Sequence, residues 1–483
     1  MTYQIIITVI YAIVLGYTIY RILLDTHSTS KTLAYLLLVF IFPIIGSIFY
    51  FALGVNYRHK RYNKRAVAIH RKLDKSYKDE VEDPTKQLLD THKNEIGNFT
   101  HLIDFQYNLM GEILSENSFH LLINGENKFP EVLKTLETAK HYIHMEYYEW
   151  ANDTRGNQIK DVLIKKAKEG VKVRALYDDY ASKGIKGNIV KELKAGGVDI
   201  YPKIKVKIRQ LAHRLNHRDH RKLIIVDGHI GFVGGINISD HYDNSIDTGL
   251  YWRDTHVKCT GPLVRNLQRH FLVSWNSAQK DQLEFNKELF PEANPSNTAG
   301  TRALAQTMAG GPIYPMSTIM LTYLKVFSLA TKKLYVTNPY FIPNESILDT
   351  LKQSALSGTD VRLLFPYKPD SRIVGAASRF FFDELLKAGV RIFLYKKGFV
   401  HAKTVVADGM VSIIGTANMD IRSFDLNFEI MSVIYGKEFA GQLENSFLED
   451  LNDCQEVTLE RWKEVSVFRR LIYAIARLIS SFL

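Results

Sequence analysis

The 483-residue sequence predicts an α/β protein: two tandem α/β halves with pseudo-two-fold symmetry, preceded by an N-terminal transmembrane helical hairpin. Three observations predict it. Two apolar runs, residues 3–24 and 33–53, open the chain. Helix and strand patterns then alternate through two series in the same order. Finally, one spaced motif occurs twice: His, any residue, Lys, any four, Asp, any six, Gly-Gly or Gly-Thr, any residue, Asn. It starts at His220 and again at His401, 181 residues later.

Taken in order, the two apolar runs each have the length a helix needs to cross roughly 30 Å of hydrocarbon. No basic residue precedes the first, and the second follows directly, which does not fit a cleaved leader. The loop between them, residues 25–32, holds one Asp and one Lys. After the second run, "RHKRYNKRAVAIHRKLDK" carries eight Lys/Arg against the single Asp74. Positive residues stay on the cytoplasmic side. A multi-pass protein of the cell membrane, with both termini and the catalytic body cytoplasmic, is therefore expected. Pro43 and Gly46 leave open a kinked or re-entrant second run.

Residues 76–98 read as a charged, poorly patterned linker. Beyond it, "FPEVLKTLETAK" is an amphipathic helix and "HYIHMEYYEW" a strand. "GNQIKDVLIKKAKEG" ends in a helix-capping glycine before the strand "VKVRALYDD", and "NIVKELKAGG" leads into "VDIYPKI". The second series runs "STIMLTYLKVFSLAT", "KLYVTNPYF", "SILDTLKQSALSG", "VRLLFP", "GAASRFFFDELLKAG", "VRIFLYKK". Each ends at His-x-Lys. The expected divisions are a hairpin at 1–57, a basic segment and linker at 58–100, repeats at 101–295 and 296–450, and an amphipathic helix at 451–483. A largely parallel or mixed sheet in each half, with the active site at the seam between them, is the natural arrangement.

The bulk numbers bound the function. Charged residues at 23% and hydrophobic residues at 46% are those of a folded chain. A net charge of +11 points to anionic lipid or nucleic acid. Two cysteines, Cys259 and Cys454, give no disulfide framework and no metal-ligand spacing, and suit a reducing compartment.

The repeated motif carries the chemistry. In a strand, His220 and Lys222 leave the same face, as do His401 and Lys403. An ammonium beside an imidazole suits attack on an anionic phosphodiester: Lys neutralises the phosphoryl oxygens, and His is nucleophile or proton carrier. The glycines allow a tight turn that brings back Asn237 and Asn418 as neutral donors. One His-x-Lys would mean nothing; two with matched Asp, Gly and Asn offsets in a repeat do.

The pair His220-Lys222-Asp227 and His401-Lys403-Asp408 resembles the twin motif of the phospholipase D superfamily. Over nearly the whole chain the resemblance extends to its bacterial cardiolipin synthases. It rests on "PIIGSIFYFALG", "RDHRKLIIVDG…FVGGINISDHY", "YWRDTHV", "AGGP", "NPYFIP" and "HAKTVVADG…GTANMDIRSFDLNFE". The resemblance implies two phospholipase D-like halves and a phosphatidyltransferase working through a phosphohistidine. His220 is the expected nucleophile on one phosphatidylglycerol, releasing glycerol. His401 is the expected general acid, then the base for a second phosphatidylglycerol. Asp254 and Glu429 match carboxylates that orient the rings. Asp227 and Asp408 count with the catalytic motif but resemble structural residues.

Phosphatidylglycerol, other anionic phospholipids and the membrane are the expected partners, not nucleic acid. No cofactor or metal is expected. The chain has no G-x4-G-K-[ST] loop. His213, His217 and His220 have a metal-like spacing, but residues 203–222 hold eight Lys/Arg and one Asp, which disfavours a dication. Lys203, Lys205, Lys207 and Arg209 alternate as a solvated strand face would, or as a lipid-phosphate surface. "RWKEVSVFRRLIYAIARLISSFL" reads as a core-packed terminal helix or an interfacial one. It departs from the family's usual ending at "SSFL". A hydrolytic phospholipase D, a membrane-attached nuclease and a non-catalytic scaffold remain as alternatives.

Overall fold

The computed structural model describes residues 2–26, 29–51, 61–205, 217–292 and 300–480. Helix α1 (Thr2–Asp25) is long and apolar enough to cross a membrane. The second apolar run is not one helix. It divides into α2 (Thr29–Ile41) and α3 (Pro43–Phe49), because Pro43 lacks the N–H to continue the ladder and keeps Phe42 out of helical backbone. Ile22, Val39 and Tyr50 form a small buried cluster that joins the three helices.

The segment expected to be a linker is helical and packed. Helix α4 (Arg61–Glu80) buries Ile69, Leu73 and Tyr77 against the helix Leu263–Ala278, and α5 (Thr85–Ile96) and α6 (Thr100–Met110) follow. Tyr77 donates to Asn266 (2.5 Å), and Arg269 pairs with Asp74 (2.6 Å). The stripe Ala66, Ile69, Leu73, Tyr77 was there to be read, hidden under the charges.

The first half contributes β1 (Ser115–Ile123), β2 (Tyr142–Tyr147), β3 (Lys172–Tyr177), β4 (Asp199–Pro202), β5 (Lys222–Val226), β6 (Ile230–Gly234), β7 (Trp252–Arg253) and β8 (Thr255–Thr260). The second begins with β9 (Thr301–Gly310), β10 (Lys333–Thr337), β11 (Phe341–Ile342), β12 (Asp360–Pro366), β13 (Arg391–Tyr395) and β14 (Phe399–Val400). It continues with β15 (Thr404–Ala407), β16 (Val411–Gly415), β17 (Met419–Asp420), β18 (Glu429–Tyr435) and β19 (Cys454–Val457).

Instead of a separate sheet in each half there is one 15-stranded mixed sheet, because β1 and β9 pair with each other antiparallel. Outward from that junction the order is β8, β6, β5, β2, β3, β4 on one side. On the other it is β18, β16, β15, β10, β12, β13, with β19 added at the edge. Corresponding strands occupy corresponding places, which is the duplication in three dimensions. The ten central strands are antiparallel; β3 and β4, and likewise β12 and β13, are added in parallel. Strand β19 pairs with β13, so the sheet of the second half extends past residue 450.

Each half has its own apolar cluster, and a third spans both, joining Phe271 and Val257 to Ile414 and Ile430. The two short parallel pairs, β7 with β14 and β11 with β17, lie outside the main sheet.

Candidate active site

Lys222 opens β5, opposite Tyr147 at the end of β2, so the motif sits at the sheet edge where the parallel strands β2 and β3 finish. That is the edge where open α/β sheets hold ligands. Lys403 stands equivalently before β15. Each lysine Nζ donates to the carbonyl of its own histidine, at 2.7 Å for Lys222 to His220 and likewise for Lys403 to His401. His220 and His401 line one cavity of about 530 Å³ between the halves.

The halves are fastened at the two histidines. The His220 N–H donates to the Phe428 carbonyl (3.0 Å), and the Phe428 N–H to Arg218 (2.8 Å). The His401 N–H donates to Arg253 (2.7 Å), next to the β7–β14 pair. Arg253 reaches on to Asp450 (2.8 Å) and Ser446 (2.7 Å) in the other half.

The orienting carboxylates are exchanged. His220 Nδ1 meets Glu429 Oε2 at 3.0 Å, and His401 Nδ1 meets Asp254 Oδ2 at 2.8 Å. Each histidine thus takes its carboxylate from the opposite repeat. A carboxylate on Nδ1 holds the proton there and leaves Nε2 with a free lone pair.

The motif glycines serve this arrangement as well as the turn. A Cβ on Gly235 would lie 2.1 Å from Asp254 Oδ1. In the second repeat the equivalent residue is Thr416, whose hydroxyl donates to Glu429 Oε2 (2.5 Å). The difference between Gly-Gly and Gly-Thr therefore goes with the difference between Asp254 and Glu429.

Burial sets the electrostatics. It pushes the Lys222 ammonium down to about 8 against the pull of Glu429 and Asp254. It pushes Lys403 down to about 7. Burial and then the Lys403 charge lower the His401 imidazole to about 3, against Asp254. Burial lowers His220 as well, opposed chiefly by Glu429. Burial alone would raise Asp254, but Lys403 and His401 outweigh it and hold it at about 2. Burial thus disfavours charge on both rings and on both lysines, an arrangement that a bound anion would relieve at the lysines.

The two motif aspartates are elsewhere. Asp227 lies beyond the far end of β5 and accepts the backbone N–H groups of Lys140 (2.7 Å), His141 (2.8 Å) and Tyr142 (2.8 Å). Asp408 does the same for Thr331 (2.9 Å), Lys332 (2.8 Å) and Lys333 (2.9 Å). Both have positive φ, 51° and 52°, and neither lines the cavity. They tie the hairpin turn to the start of the neighbouring strand.

Asn237 and Asn418 do line the cavity. The Asn237 amide donates to Tyr242 Oη (2.6 Å) and Glu149 (3.3 Å), so it positions them instead of offering free donors. Asn418 Oδ1 has no hydrogen-bond partner among the described residues. Lys203 is neither a solvated nor a lipid-facing residue: it is buried, paired with Glu146 (2.6 Å) and Asp219 (3.0 Å) over the Phe428 ring. Lys207, Arg209 and His213 lie outside the described residues, and His217 Nδ1 faces the Leu426 carbonyl at 3.1 Å.

The sequence reading missed the walls. Tyr148 meets the His220 ring edge-on at 4.8 Å, and Trp252 and Tyr242 lie 5.5 and 5.6 Å from His401. Arg218 and Arg422 add charge. A signal existed: Tyr148 directly follows β2 at the histidine edge, Tyr340 stands three residues past the end of β10, and Arg218 stands two residues before His220.

The family model described as "Cardiolipin synthase, PLD-like domain" matches residues 132–275 and 323–451. One described as "Phospholipase_D-nuclease N-terminal" matches 10–54. Cardiolipin synthase 2 of Bacillus anthracis is 38% identical over 464 residues, covering 96% of this chain and 88% of that protein. The major cardiolipin synthase of Bacillus subtilis is 35% identical, covering 95% of each. Among solved structures, the phosphatidylserine synthase of Haemophilus influenzae matches with a TM-score of 0.59 at 14% identity, over 79% of this chain and all of that one. At that identity it shows the fold.

Proposed function

The chain belongs to the cardiolipin synthase family of phospholipase D-like phosphatidyltransferases, and from that premise we propose how its own residues carry the reaction. His220 Nε2 attacks the phosphorus of one phosphatidylglycerol. The bond from phosphorus to the headgroup glycerol oxygen breaks, and His401, which takes up a proton on Nε2 when the phosphodiester anion binds, gives that proton to the leaving oxygen. A hydroxyl of a second phosphatidylglycerol then returns a proton to His401 while its oxygen displaces His220, giving cardiolipin. One phosphodiester is exchanged for another, so no nucleotide is consumed.

The observation that carries this reading is the exchanged pairing of each histidine with a carboxylate of the other repeat, around one cavity. It presents two Nε2 lone pairs to the same space. His401 is held neutral mainly by burial and by Lys403; a bound phosphodiester anion offsets that ammonium and raises the ring's proton affinity. The near-symmetry of the site gives His220 no structural privilege, and its assignment as nucleophile rests on its place in the first motif.

We also infer that the apolar N-terminal helices lie in the bilayer with the catalytic body on the cytoplasmic side, because Lys/Arg crowd the segment after them. Phospholipid fits better than polynucleotide as the substrate. Part of the basic surface is already engaged, with Arg65 donating to Gln279 and Lys72 paired with Glu284.

The test uses purified full-length protein in mixed micelles with phosphatidylglycerol as the only phospholipid, EDTA present and no nucleotide. Cardiolipin with equimolar glycerol is expected. Phosphatidic acid alone would make the enzyme a hydrolase, and no turnover would overturn the donor assignment.

A further inference from the structure

The C-terminal helix Val467–Ser480 is apolar on two sides. On one, Ala476 is buried and Tyr473 stacks on Trp462 at 6.0 Å. Arg477 lies over the Phe380 ring at 4.4 Å, fixing this side to the helix Arg372–Phe380. On the other side Val467, Phe468, Leu471, Ile472, Ile475 and Leu478 are all exposed, Val467 at 83% and Phe468 at 72%. At about 100° per residue these six fall within one arc of about 140°. Arg469 is exposed about 60° past one edge of the arc, and Arg470, about 60° past the other, donates to the carbonyls of Trp462, Lys463 and Val465. Scattered exposed apolar residues are ordinary, but a continuous stripe on one helix marks a contact surface.

We propose that this stripe is the surface by which the catalytic body seats on an anionic lipid bilayer, beside the mouth of the active site. The inference rests on the phospholipid reading above and adds the place of contact. Arginines flanking a broad apolar face are the pattern of a helix lying in the headgroup plane. The position supports it too. The partner helix Arg372–Phe380 supplies Val374 to the cavity wall and exposes Ile373 next to it. The helix that carries the stripe thus packs on the helix that walls the site.

Size makes a nearby lipid surface necessary. A cavity of about 530 Å³ is of the volume that takes a small molecule. It suits headgroups, not the acyl chains of two diacyl lipids. Withdrawing those chains into water is unfavourable for every CH₂ exposed. The chains must stay in the bilayer while the phosphates enter, so the mouth has to meet the membrane.

Depth measurement tests this without relying on turnover. Leu471→Cys and Ile475→Cys, each in a Cys454→Ser background, carry an environment-sensitive fluorophore on the full-length chain. The chain is reconstituted in vesicles of phosphatidylglycerol and phosphatidylcholine. Brominated lipid should quench both labels while aqueous iodide does not; a label at Glu460→Cys should show the reverse. Iodide quenching at 471 and 475 would overturn the proposal. So would shielding from both quenchers, which would assign the stripe to a second copy of the chain. As a kinetic check, Leu471→Glu/Ile475→Glu should lower the ratio of turnover on vesicle lipid to turnover on soluble short-chain phosphatidylglycerol by at least tenfold. An unchanged ratio would count against the seat. Lipid contact with no phosphatidyl transfer would leave the seat standing and overturn the function instead.

Discussion

At the scale of single residues, the site depends on which groups face the cavity and which only resemble those that do. Asp227 belongs to the repeated motif yet accepts three backbone N–H groups at the far end of its strand. Asp227→Asn should cost about 1–3 kcal/mol of stability, seen as a lower thermal midpoint, while turnover per folded molecule stays within about twofold. Loss of kcat at full stability would contradict that. Asp254→Asn should do the opposite: stability changes little beside a fall in kcat of about 10³–10⁴, the scale for losing the carboxylate behind a catalytic histidine. The lysines set a pH limit. Phosphate binding needs them protonated, and their values of about 8 and 7 mean the proton is lost as pH rises through that window. In kcat/KM profiles, activity on phosphatidylglycerol should fall above about pH 7, and Lys403→Arg should move the alkaline limb up toward pH 8. Stability runs the other way. Lysines depressed below 10.5 bind fewer protons folded than unfolded, so burying them costs stability at low pH that is recovered as pH rises above about 7.

At the scale of elements, most of the strands and helices were legible because period and punctuation agreed. Helix, glycine, buried strand recurs at Gly170 and Gly389 as it was read from sequence. The failures have physical causes. Helix α4 was obscured because its apolar stripe is only four residues among ten charges, and its partner helix lies about 200 residues on. The single broad sheet could not be read, because the pairing of β1 with β9 is a contact between repeats and neither strand carries a mark of it. The Gly-Gly turn was found, but its second purpose was not: the carboxylate that needs the space is on the neighbouring strand's approach, not in the motif. Gly235→Ala should therefore behave as a site mutation. Displacement of Asp254 should lower kcat at least tenfold with the fold intact by circular dichroism, whereas Gly184→Ala, which meets nothing within 4 Å, should leave kcat alone.

At the scale of the whole molecule, duplication explains both the doubled motif and the shared site. Neither repeat holds a complete catalytic pair: each lends a carboxylate to the other's histidine and pairs its backbone beside it. The sequence showed the two histidines and both carboxylates, but not that they are exchanged, since exchange depends on how the halves dock. In the proposed reaction a covalent intermediate forms and is resolved on one histidine while the other carries the proton. The direct measurement is a rapid-quench experiment on the full-length enzyme with phosphatidylglycerol, stopped in base and mapped by peptide mass spectrometry. The account predicts a phosphatidyl adduct on the peptide carrying His220, appearing before cardiolipin and decaying as it forms. Cardiolipin made with no adduct, or with the adduct on His401, would contradict it.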